Sequence, residues 1–381
     1  MAAGAGARAT RRHGAVALVS LLIALAVVEL CARAVAPAWL RARMREIAVA
    51  RSSTDWGSDA SWPVERDAGL PVRFVPGGSF TVRDDEFVHA VAIDEYGGRA
   101  SGRASSGDQP ILPVFGDSMT FGVGVRDEET WVGVAGRSLP VRLVNFGMPG
   151  SDLLDHLQAL DRLEARLGSP AVCVFVVFLG NDLTSIASSM EPESRDDDAR
   201  GASLSDRLFA MNQTMQAHAL LRRWYIVQWA RALAVRAVNS SRRQPQVQGM
   251  LALMDRGARL ESLRRAFEEA ADRLVRASVR FRFSPAVIVI PDRYQVDERL
   301  RNDKAALYGV PPSSYNPRQP NHLVTDALSR RGIPFIDVSA CLEGRVGQFY
   351  PRDGHLTAAG HAAIGACVRA FLGERWAARL R

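Results

Sequence analysis

The sequence predicts an α/β fold, a three-layer α/β/α sandwich around a five-stranded parallel sheet with flavodoxin-like strand order. From residue 111 onward, short apolar runs bounded by turn residues alternate with longer segments of helical periodicity. This alternation is typical of a parallel sheet covered on both faces. The runs are apolar throughout, as expected for strands buried on both sides. Because open sheets of this kind bind ligands outside the carboxyl ends of their strands, polar residues after each strand are the first candidates for a site.

The predicted elements follow one another along the second half of the chain. Strands are predicted at residues 111–115, 141–145, 171–179, 286–290 and 334–338. Helices are predicted at residues 153–167, 259–280, 323–331 and 357–372, with Ser151 and Thr357 as caps. Between them, residues at about 183–256 are interpreted as a helical insertion. Its exposed acidic loop spans 188–201, and its helix at 203–238 carries Trp224, Tyr225 and Trp229, interpreted as core packing or, alternatively, as a lid or acceptor-binding face.

The first 37 residues predict a membrane anchor. Three arginines, at positions 8, 11 and 12, precede an apolar run at 14–30, and positive charge before such a run directs the remainder across a membrane. Pro37 disfavours cleavage after the small residues that precede it, which favours an uncleaved signal anchor over a cleaved signal peptide. We therefore expect a single-pass protein of the inner membrane whose larger part is periplasmic.

Residues 38–110 are interpreted as a lead segment that precedes the α/β region. Alternating residues predict short strands at 72–75, 79–82 and 87–94, with glycine turns between and after them. The predicted domains are accordingly an anchor at 1–37, the lead segment at 38–110 and a main domain at 111–375.

Composition excludes two classes of protein. A hydrophobic share of 47% excludes a disordered chain. The net charge of +7 comes from arginines interspersed with acids, with Lys304 as the one lysine, so no basic stripe for nucleic acid is predicted.

The four cysteines form no CxxC pair, which leaves metal and redox motifs unsupported. Free buried thiols are the favoured state, and a Cys341–Cys367 disulfide in an oxidising compartment is the alternative.

Five residues beside predicted strand and helix ends suit nucleophilic catalysis: Ser118, Gly147, Asn181, Asp353 and His355. Taken singly, a serine in a turn is a cap and a histidine near a helix start is a satisfied polar residue. Acyl transfer, however, needs a nucleophile, a base, an acid that orients the base, and donors for the developing oxyanion. The chain offers a candidate for each, at the same edge of one predicted sheet.

The four blocks that contain these residues resemble the SGNH, or GDSL-type, hydrolase superfamily. The matching blocks are residues 116–119, 145–147, 180–182 and 353–355, and the resemblance covers about 111–372. It implies Ser118 as nucleophile, His355 as general base and Asp353 as the residue that holds the imidazole tautomer. It also implies an oxyanion hole made of the Ser118 and Gly147 backbone N–H groups and the Asn181 amide, with no cofactor and no metal.

Two departures from the family pattern stand out. Met119 replaces the usual leucine, a swap that conserves volume. Asp353 and His355 are separated by one residue where many members have two, and this spacing resembles the membrane-associated branch that handles acyl groups on cell-surface polysaccharides, including alginate acetylation proteins. His361 is the fallback base, and Asp117 is interpreted as a structural residue that shapes the serine turn.

The resemblance implies a serine esterase that cleaves an O-acyl ester of a small molecule or glycan through an acyl-enzyme on Ser118, with acetyl on a cell-surface glycan as the candidate substrate. The alternative is an O-acyltransferase that passes the acyl group to a sugar hydroxyl. Two other classes are weighed against it. A non-catalytic glycan-binding protein needs no base beside a serine, and a metal-dependent phosphoesterase using Asp117, Asp353 and His355 lacks a second ligand cluster.

Overall fold

The computed structural model describes four stretches of the chain, and all statements below concern these residues. They are residues 20–44 without 21–22, 39 and 42–43; residues 63–190 without 68–69, 85, 102–108 and 169; residues 224–233 without 231–232; and residues 250–376 without 257–259 and 352. The chain divides into two compact units. The smaller comprises Met1–Val49, Asp196–Gln246 and Asn302–Pro311, and the larger comprises Ala50–Arg195, Val247–Arg301 and Pro312–Arg381.

The described residues of the larger unit form nine strands. They are β1 Val64–Asp67, β2 Leu70–Phe74, β3 Ser79–Arg83, β4 Val88–Ala92, β5 Ile111–Gly116, β6 Arg142–Gly147, β7 Val172–Phe178, β8 Ser284–Ile290 and β9 Phe335–Asp337. Strands β5 to β9 make one sheet in the order β6-β5-β7-β8-β9, and every neighbouring pair is parallel. The predicted fold class, including the flavodoxin-like strand order, is confirmed.

Helices cover both faces of this sheet, which gives the three layers. The α-helices described in residues 118–190 and 250–376 are α1 Ser118–Phe121, α2 Trp131–Gly136, α3 Leu153–Leu167, α4 Asp182–Met190, α5 Met250–Met254, α6 Glu261–Phe281, α7 Arg293–Val296, α8 Glu298–Tyr308, α9 Gln319–Arg330, α10 Ser339–Leu342 and α11 Ala358–Trp376. Apolar residues of α2 and α11 pack on one face of the strands. Helices α3 and α6 pack on the other. Even-numbered residues of β5, β7 and β8, such as Val114 and Val176, belong to the first of these cores, together with Leu143 of β6.

Two strands of the sheet end side by side in glycines. Gly116 of β5 pairs with Gly147 of β6. A Cβ at Gly116 would lie 2.1 Å from Thr120 Oγ1, and a Cβ at Gly147 would lie 2.2 Å from the backbone nitrogen of Phe121. Because neither position leaves room for a side chain, the glycines allow α1 to sit directly on the carboxyl ends of β5 and β6.

The lead strands form two antiparallel pairs, β1 with β2 and β3 with β4. Their apolar side chains, Phe74, Val82 and Phe87 among them, share a buried cluster with Phe121 and Met148. The lead segment therefore packs against the helix that carries Ser118. The domain boundaries predicted at residues 37 and 110 stay a prediction.

In the smaller unit, residues 23–35 and 225–230 are helical. Glu29 accepts the backbone N–H groups of Tyr225 and Ile226 at 2.9 and 3.1 Å. Tyr225 and Trp229 pack on a buried cluster that includes Leu40, in keeping with the core-packing interpretation of these aromatic residues. The rest of the predicted insertion, at 191–223 and most of 231–249, lies outside the described residues.

None of the helices in the described residues combines the length and the apolar content needed to cross a membrane. Most of the predicted anchor, residues 1–19 with 21 and 22, lies outside the described part of the chain.

The cysteine prediction was wrong in one respect, because Cys341 and Cys367 form a disulfide. The bond joins α10 to α11, whose packing brings the two Cα atoms to 6.7 Å, within the range that a disulfide spans. Cys173 is a free, buried thiol as predicted, and Cys31 is free and exposed.

Candidate active site

Ser118 is the first residue of α1, at the carboxyl end of the central part of the sheet. Asp117 is the N-cap of this one-turn helix, and its carboxylate accepts the backbone N–H of Met119 at 2.9 Å. Gly122 ends the helix in the left-handed conformation, at φ 89°. The strand, the cap and the terminal glycine therefore hold Ser118 half-buried at the edge where open sheets bind ligands.

His355 and Asp353 meet Ser118 from a turn that precedes α11. His355 Nε2 lies 2.9 Å from Ser118 Oγ, and His355 Nδ1 lies 2.5 Å from Asp353 Oδ1. The same carboxylate oxygen accepts the backbone N–H of His355 at 3.1 Å. The imidazole is 16% exposed and the carboxylate 3%, so the ring can reach a substrate while its carboxylate partner is shielded from water.

The turn itself is held by its neighbours. Gly354 adopts φ +90°, a conformation that glycine tolerates at no steric cost. The backbone N–H of Tyr350 donates to the His355 carbonyl at 2.8 Å. Arg293, which follows β8, donates to the Pro351 carbonyl at 3.0 Å. The base is thus fixed from two sides, although it lies in neither a helix nor a strand.

Gly147 lies beside Gly116 at the carboxyl end of β6, and its N–H is engaged within that strand. Its backbone N–H donates to Asn145 Oδ1 at 2.9 Å, so this donor is already used inside β6. The Asn145 amide in turn donates to the Thr120 carbonyl at 2.8 Å. Asn145 and Gly147 therefore dock α1 onto the sheet, and the Gly147 N–H that was predicted as an oxyanion donor already has an acceptor.

Three donors remain near the ends of β5, β6 and β7. Asn181 follows β7 with its side chain exposed, and in the described residues only its backbone carbonyl is engaged, by Thr184 and Ser185. The backbone N–H groups of Ser118 and Gly150 have no acceptor in the parts of the chain that are described. Gly150 is exposed and has φ +83°, in the turn between β6 and α3. The sequence feature that could have indicated Gly150 is that a second glycine follows Gly147 shortly before the capped helix α3.

Two buried carboxyls lie behind the serine. Burial raises the pKa of Asp117 to about 6, partly offset by the Met119 N–H and by His355. Burial also raises the pKa of Asp182 well above its usual value, and the charge of Asp117 adds to this. Asp182 Oδ2 accepts the Phe178 N–H at 2.9 Å. Asp182, whose pKa is raised the more, therefore favours its protonated form. Asp117 has the structural role of a helix cap.

His361, the fallback base, is excluded by its surroundings. It is fully buried, and its Nδ1 accepts the backbone N–H of Trp131 at 3.1 Å, at the start of α2. Burial is the main cause that lowers its pKa to about 3. A neutral imidazole that caps a helix in this way is not available to take a proton from Ser118.

A second serine–histidine contact was not predicted. Ser151 Oγ lies 3.0 Å from His156 Nε2, and the Ser151 hydroxyl donates to the Met148 carbonyl at 2.5 Å. Both residues are buried, and burial lowers the pKa of His156 to about 4. The predicted cap role of Ser151 was wrong, because Asp152 caps α3 by accepting the Leu154 N–H at 2.8 Å.

Comparison with known proteins places this arrangement in a family. The model of the family described as GDSL-like lipase/acylhydrolase matches residues 114–363, from β5 to α11. No curated protein sequence matches the chain significantly.

Solved structures of similar architecture include a member of the lipolytic protein G-D-S-L family from Veillonella parvula, 12% identical, which covers 70% of this chain and 98% of its own, with a TM-score of 0.35. Another is a catalytic mutant of an acetylxylan esterase from Geobacillus stearothermophilus, 13% identical, which covers 72% of this chain and 97% of its own, also with a TM-score of 0.35.

Proposed function

Because the chain belongs to the GDSL-like lipase/acylhydrolase family, we propose that it is a serine esterase that cleaves an O-acyl ester through an acyl-enzyme on Ser118. One observation supports this proposal most directly. Ser118 Oγ, the His355 ring and the Asp353 carboxylate form a continuous hydrogen-bonded line. Such a line lets a neutral histidine remove the serine proton while a carboxylate stabilises the imidazolium that results.

The proposed reaction has two halves. Ser118 Oγ attacks the ester carbonyl carbon as His355 Nε2 takes the hydroxyl proton, and a tetrahedral oxyanion forms. Its collapse breaks the bond to the leaving alcohol, which receives that proton from His355. Water then gives a proton to His355 and attacks the acyl group, and release of the acid restores the Ser118 hydroxyl. Asp353 orients the His355 ring and stabilises the imidazolium in each half of the reaction.

For the oxyanion we propose the Ser118 N–H and the Asn181 amide as donors, with the Gly150 N–H in place of that of Gly147. Support for the replacement is that the Gly147 N–H is bonded to Asn145, whereas the Gly150 N–H has no acceptor in the described residues. Donors that are aimed before the reaction begins need no reorganisation as the charge develops, which is why each contributes strongly to the rate.

The proposed substrate is an acyl group, with acetyl as the candidate, on a cell-surface glycan. Its support is the single residue between Asp353 and His355, a spacing that resembles the branch acting on polysaccharide acyl groups. An O-acyltransferase would use the same acyl-enzyme and pass the acyl group to a sugar hydroxyl instead of water. Incubation with acetylated glycans, with and without an acceptor sugar, separates the two: an esterase releases acetate at the same rate in both, while a transferase acylates the added sugar.

We also propose that the larger unit functions in the periplasm, behind an N-terminal membrane anchor. The arginines ahead of the apolar run support this, and so does the Cys341–Cys367 disulfide, since such bonds persist in oxidising compartments. Alkylation of free thiols in intact cells, followed by mass spectrometry, tests the location. Cys341 and Cys367 should resist alkylation until a reductant is added, and alkylation without reductant would contradict a periplasmic protein.

The test of the proposed function is labelling with a serine-reactive fluorophosphonate and mapping of the adduct by mass spectrometry. The reagent should modify Ser118 in the full chain, and the modified protein should lose ester hydrolysis in proportion to the label. An adduct on another residue, or active protein that takes no label, would contradict the proposal. A glycan-binding protein on the same fold would bind acetylated glycans without hydrolysis and without labelling.

A further inference from the structure

The described residues at the tip of the β3–β4 hairpin are Asp84, Glu86 and Phe87. They lie beyond the last paired residues of the two strands, Arg83 and Val88. The backbone N–H of Asp84 donates to the Phe87 carbonyl at 2.8 Å. The N–H of Glu86 donates to Asp84 Oδ1 at 3.1 Å. The Asp84 side chain therefore holds the turn closed and sets the direction in which Glu86 leaves it.

This tip contacts the turn that carries Asp353 and His355. Glu86 Oε2 accepts the backbone N–H of Asp353 at 2.8 Å. The next residue, Phe87, is buried, and its ring centroid lies 5.1 Å from that of Tyr350. The Tyr350 hydroxyl donates to the Gly124 carbonyl at 2.7 Å, in the loop after α1. Two adjacent hairpin residues thus hold the turn that carries Asp353 and His355, called the acid–base turn below. Glu86 holds it by a hydrogen bond and Phe87 by packing.

The base of the same hairpin holds the loop after Ser118. Arg99, a few residues beyond β4, is 1% exposed, and its Nε donates to Asp127 Oδ1 at 2.8 Å. Its guanidinium also donates to the carbonyls of Phe121, Gly122 and Val125, at 2.9, 2.5 and 2.5 Å. Asp127 Oδ2 accepts the N–H of the last residue of β4 at 3.1 Å. The planar guanidinium group of arginine suits this position because its several N–H groups can donate to several oxygens at once.

The two ends of the hairpin therefore hold the two halves of the candidate site. Ser118 and His355 are separated by 237 residues, and their 2.9 Å contact depends on whatever fixes the α1 loop relative to the acid–base turn. A carboxylate that accepts a backbone N–H gives a charge-assisted, directional bond. Small displacements of reacting groups are costly, since about 1 Å of misplacement can reduce a rate by roughly 100-fold.

We propose that the β3–β4 hairpin sets the separation of nucleophile and base, and that Glu86 is a positioning residue that acts on His355 through the Asp353 backbone. The proposal rests on the proposed function. It extends the reaction machinery into the lead segment, to a residue 267 positions away from Asp353 in the sequence.

The test compares three variants of the full chain. Glu86→Ala removes the acceptor, Glu86→Gln keeps an acceptor oxygen without the charge, and Thr81→Ala is a matched control that shortens an exposed side chain on the same hairpin. The measurements are the rate of fluorophosphonate labelling of Ser118, kcat and KM for p-nitrophenyl acetate, the pH profile of kcat, and the thermal midpoint.

Glu86→Ala should reduce the labelling rate and kcat by about 10- to 100-fold with KM changed less than about twofold. Glu86→Gln should stay within about threefold of wild type, and Thr81→Ala should match wild type. Labelling of Glu86→Ala at the wild-type rate would overturn the proposal, and so would a Gln variant as slow as the Ala variant. If the wild-type protein takes no label at Ser118, the proposed function itself has failed, which is a different result.

Should Glu86→Ala fail to fold, Phe87→Leu provides a second route. It keeps an apolar side chain in the buried cluster and removes the hairpin ring that contacts Tyr350. We expect labelling of this variant to slow by about 3- to 10-fold at an unchanged KM. An unchanged labelling rate in this variant would overturn the role of the hairpin in setting the Ser118–His355 distance.

Discussion

Two serine–histidine contacts of nearly equal length lie in the described part of the larger unit, and their surroundings differ. Ser118 Oγ and His355 Nε2 are 2.9 Å apart, and Ser151 Oγ and His156 Nε2 are 3.0 Å apart. His355 is half-buried and has a carboxylate on its other nitrogen, whereas His156 is buried. The Ser151 proton is already donated to the Met148 carbonyl.

The difference shows what a hydrogen bond between these residue types can and cannot do. In the Ser151 pair, burial lowers the pKa of His156 to about 4, so the ring stays neutral and its N–H supports a turn. In the Ser118 pair, Asp353 can stabilise a positive ring, and the partial exposure of His355 leaves room for a substrate. The serine–histidine distance alone would not distinguish the two pairs. The carboxylate beside His355 and the burial of His156 do.

The largest expected effect comes from removal of each serine. Ser118→Ala should reduce kcat for an acyl ester by about 10⁶-fold, as for loss of a catalytic serine elsewhere. Ser151→Ala should leave kcat within about twofold, but it removes one of the hydrogen-bond partners of the buried His156 and should cost about 1–3 kcal/mol of unfolding free energy. Ester hydrolysis and urea unfolding measured on both variants check this, and an inactive but stable Ser151→Ala protein would reverse the assignment of the two pairs.

Next in size is the carboxylate that distinguishes the pairs. Asp353→Asn should lower kcat by about 10⁴-fold, because an amide can favour the wrong imidazole tautomer and cannot stabilise the imidazolium. KM should change little. Steady-state kinetics on a chromogenic ester provide the measurement, with Glu374→Gln, an exposed position near the end of α11, as a control for loss of a carboxylate charge. A loss of less than about tenfold would mean that Asp353 does not orient the base.

A smaller effect is expected from the amide at the end of β7. Asn181→Ala should reduce kcat by about 10²- to 10³-fold if its amide donates to the oxyanion, with the thermal midpoint unchanged because the side chain is exposed. Ser188→Ala, at an exposed position further along α4, is the control. If Asn181→Ala raises KM alone, the amide binds substrate and transition state equally and is no oxyanion donor.

The smallest expected effect is a pH dependence of stability from the buried pair. Because the pKa of His156 is about 4 in the folded state and about 6.5 when unfolded, its neutral ring favours folding above about pH 6.5. This contribution is lost as the pH falls through 6.5 toward 4, by about 2 kcal/mol at pH 5. His156→Gln should remove that part of the pH dependence in urea unfolding at pH 7 and pH 5. If the wild-type protein and His156→Gln lose the same unfolding free energy between pH 7 and pH 5, this prediction is contradicted.

The sequence predicted the sheet closely, since its strands are apolar runs that few other structures explain. The run predicted at 171–179 corresponds to β7 at Val172–Phe178, for example. Helices α4 and α8 were missed because each is short or only weakly amphipathic, and α4 extends into residues predicted as an exposed loop. The predicted Ser118, His355 and Asp353 are brought together, while their catalytic roles stay a prediction until the variants are measured.

Other features could not be predicted because they depend on contacts that only the folded chain makes. Nothing in the residues around Gly147 shows that the Asn145 side chain bends back to its N–H. The Cys341–Cys367 bond required the packing of α10 on α11. Likewise, the hydrogen bond between Glu86 and Asp353 joins residues that are 267 positions apart in the sequence, and neither periodicity nor motif spacing indicates such a contact.

The order of the site residues along the chain has a consequence for biogenesis. Ser118 belongs to the first strand–helix junction of the parallel sheet, and His355 immediately precedes α11, which packs on α2 and on the sheet. A nascent chain therefore makes its proposed nucleophile early and completes its proposed base late. Intermediates that lack a docked α11 should be hydrolytically silent, so that the proposed reaction is withheld until synthesis and folding of this unit are complete.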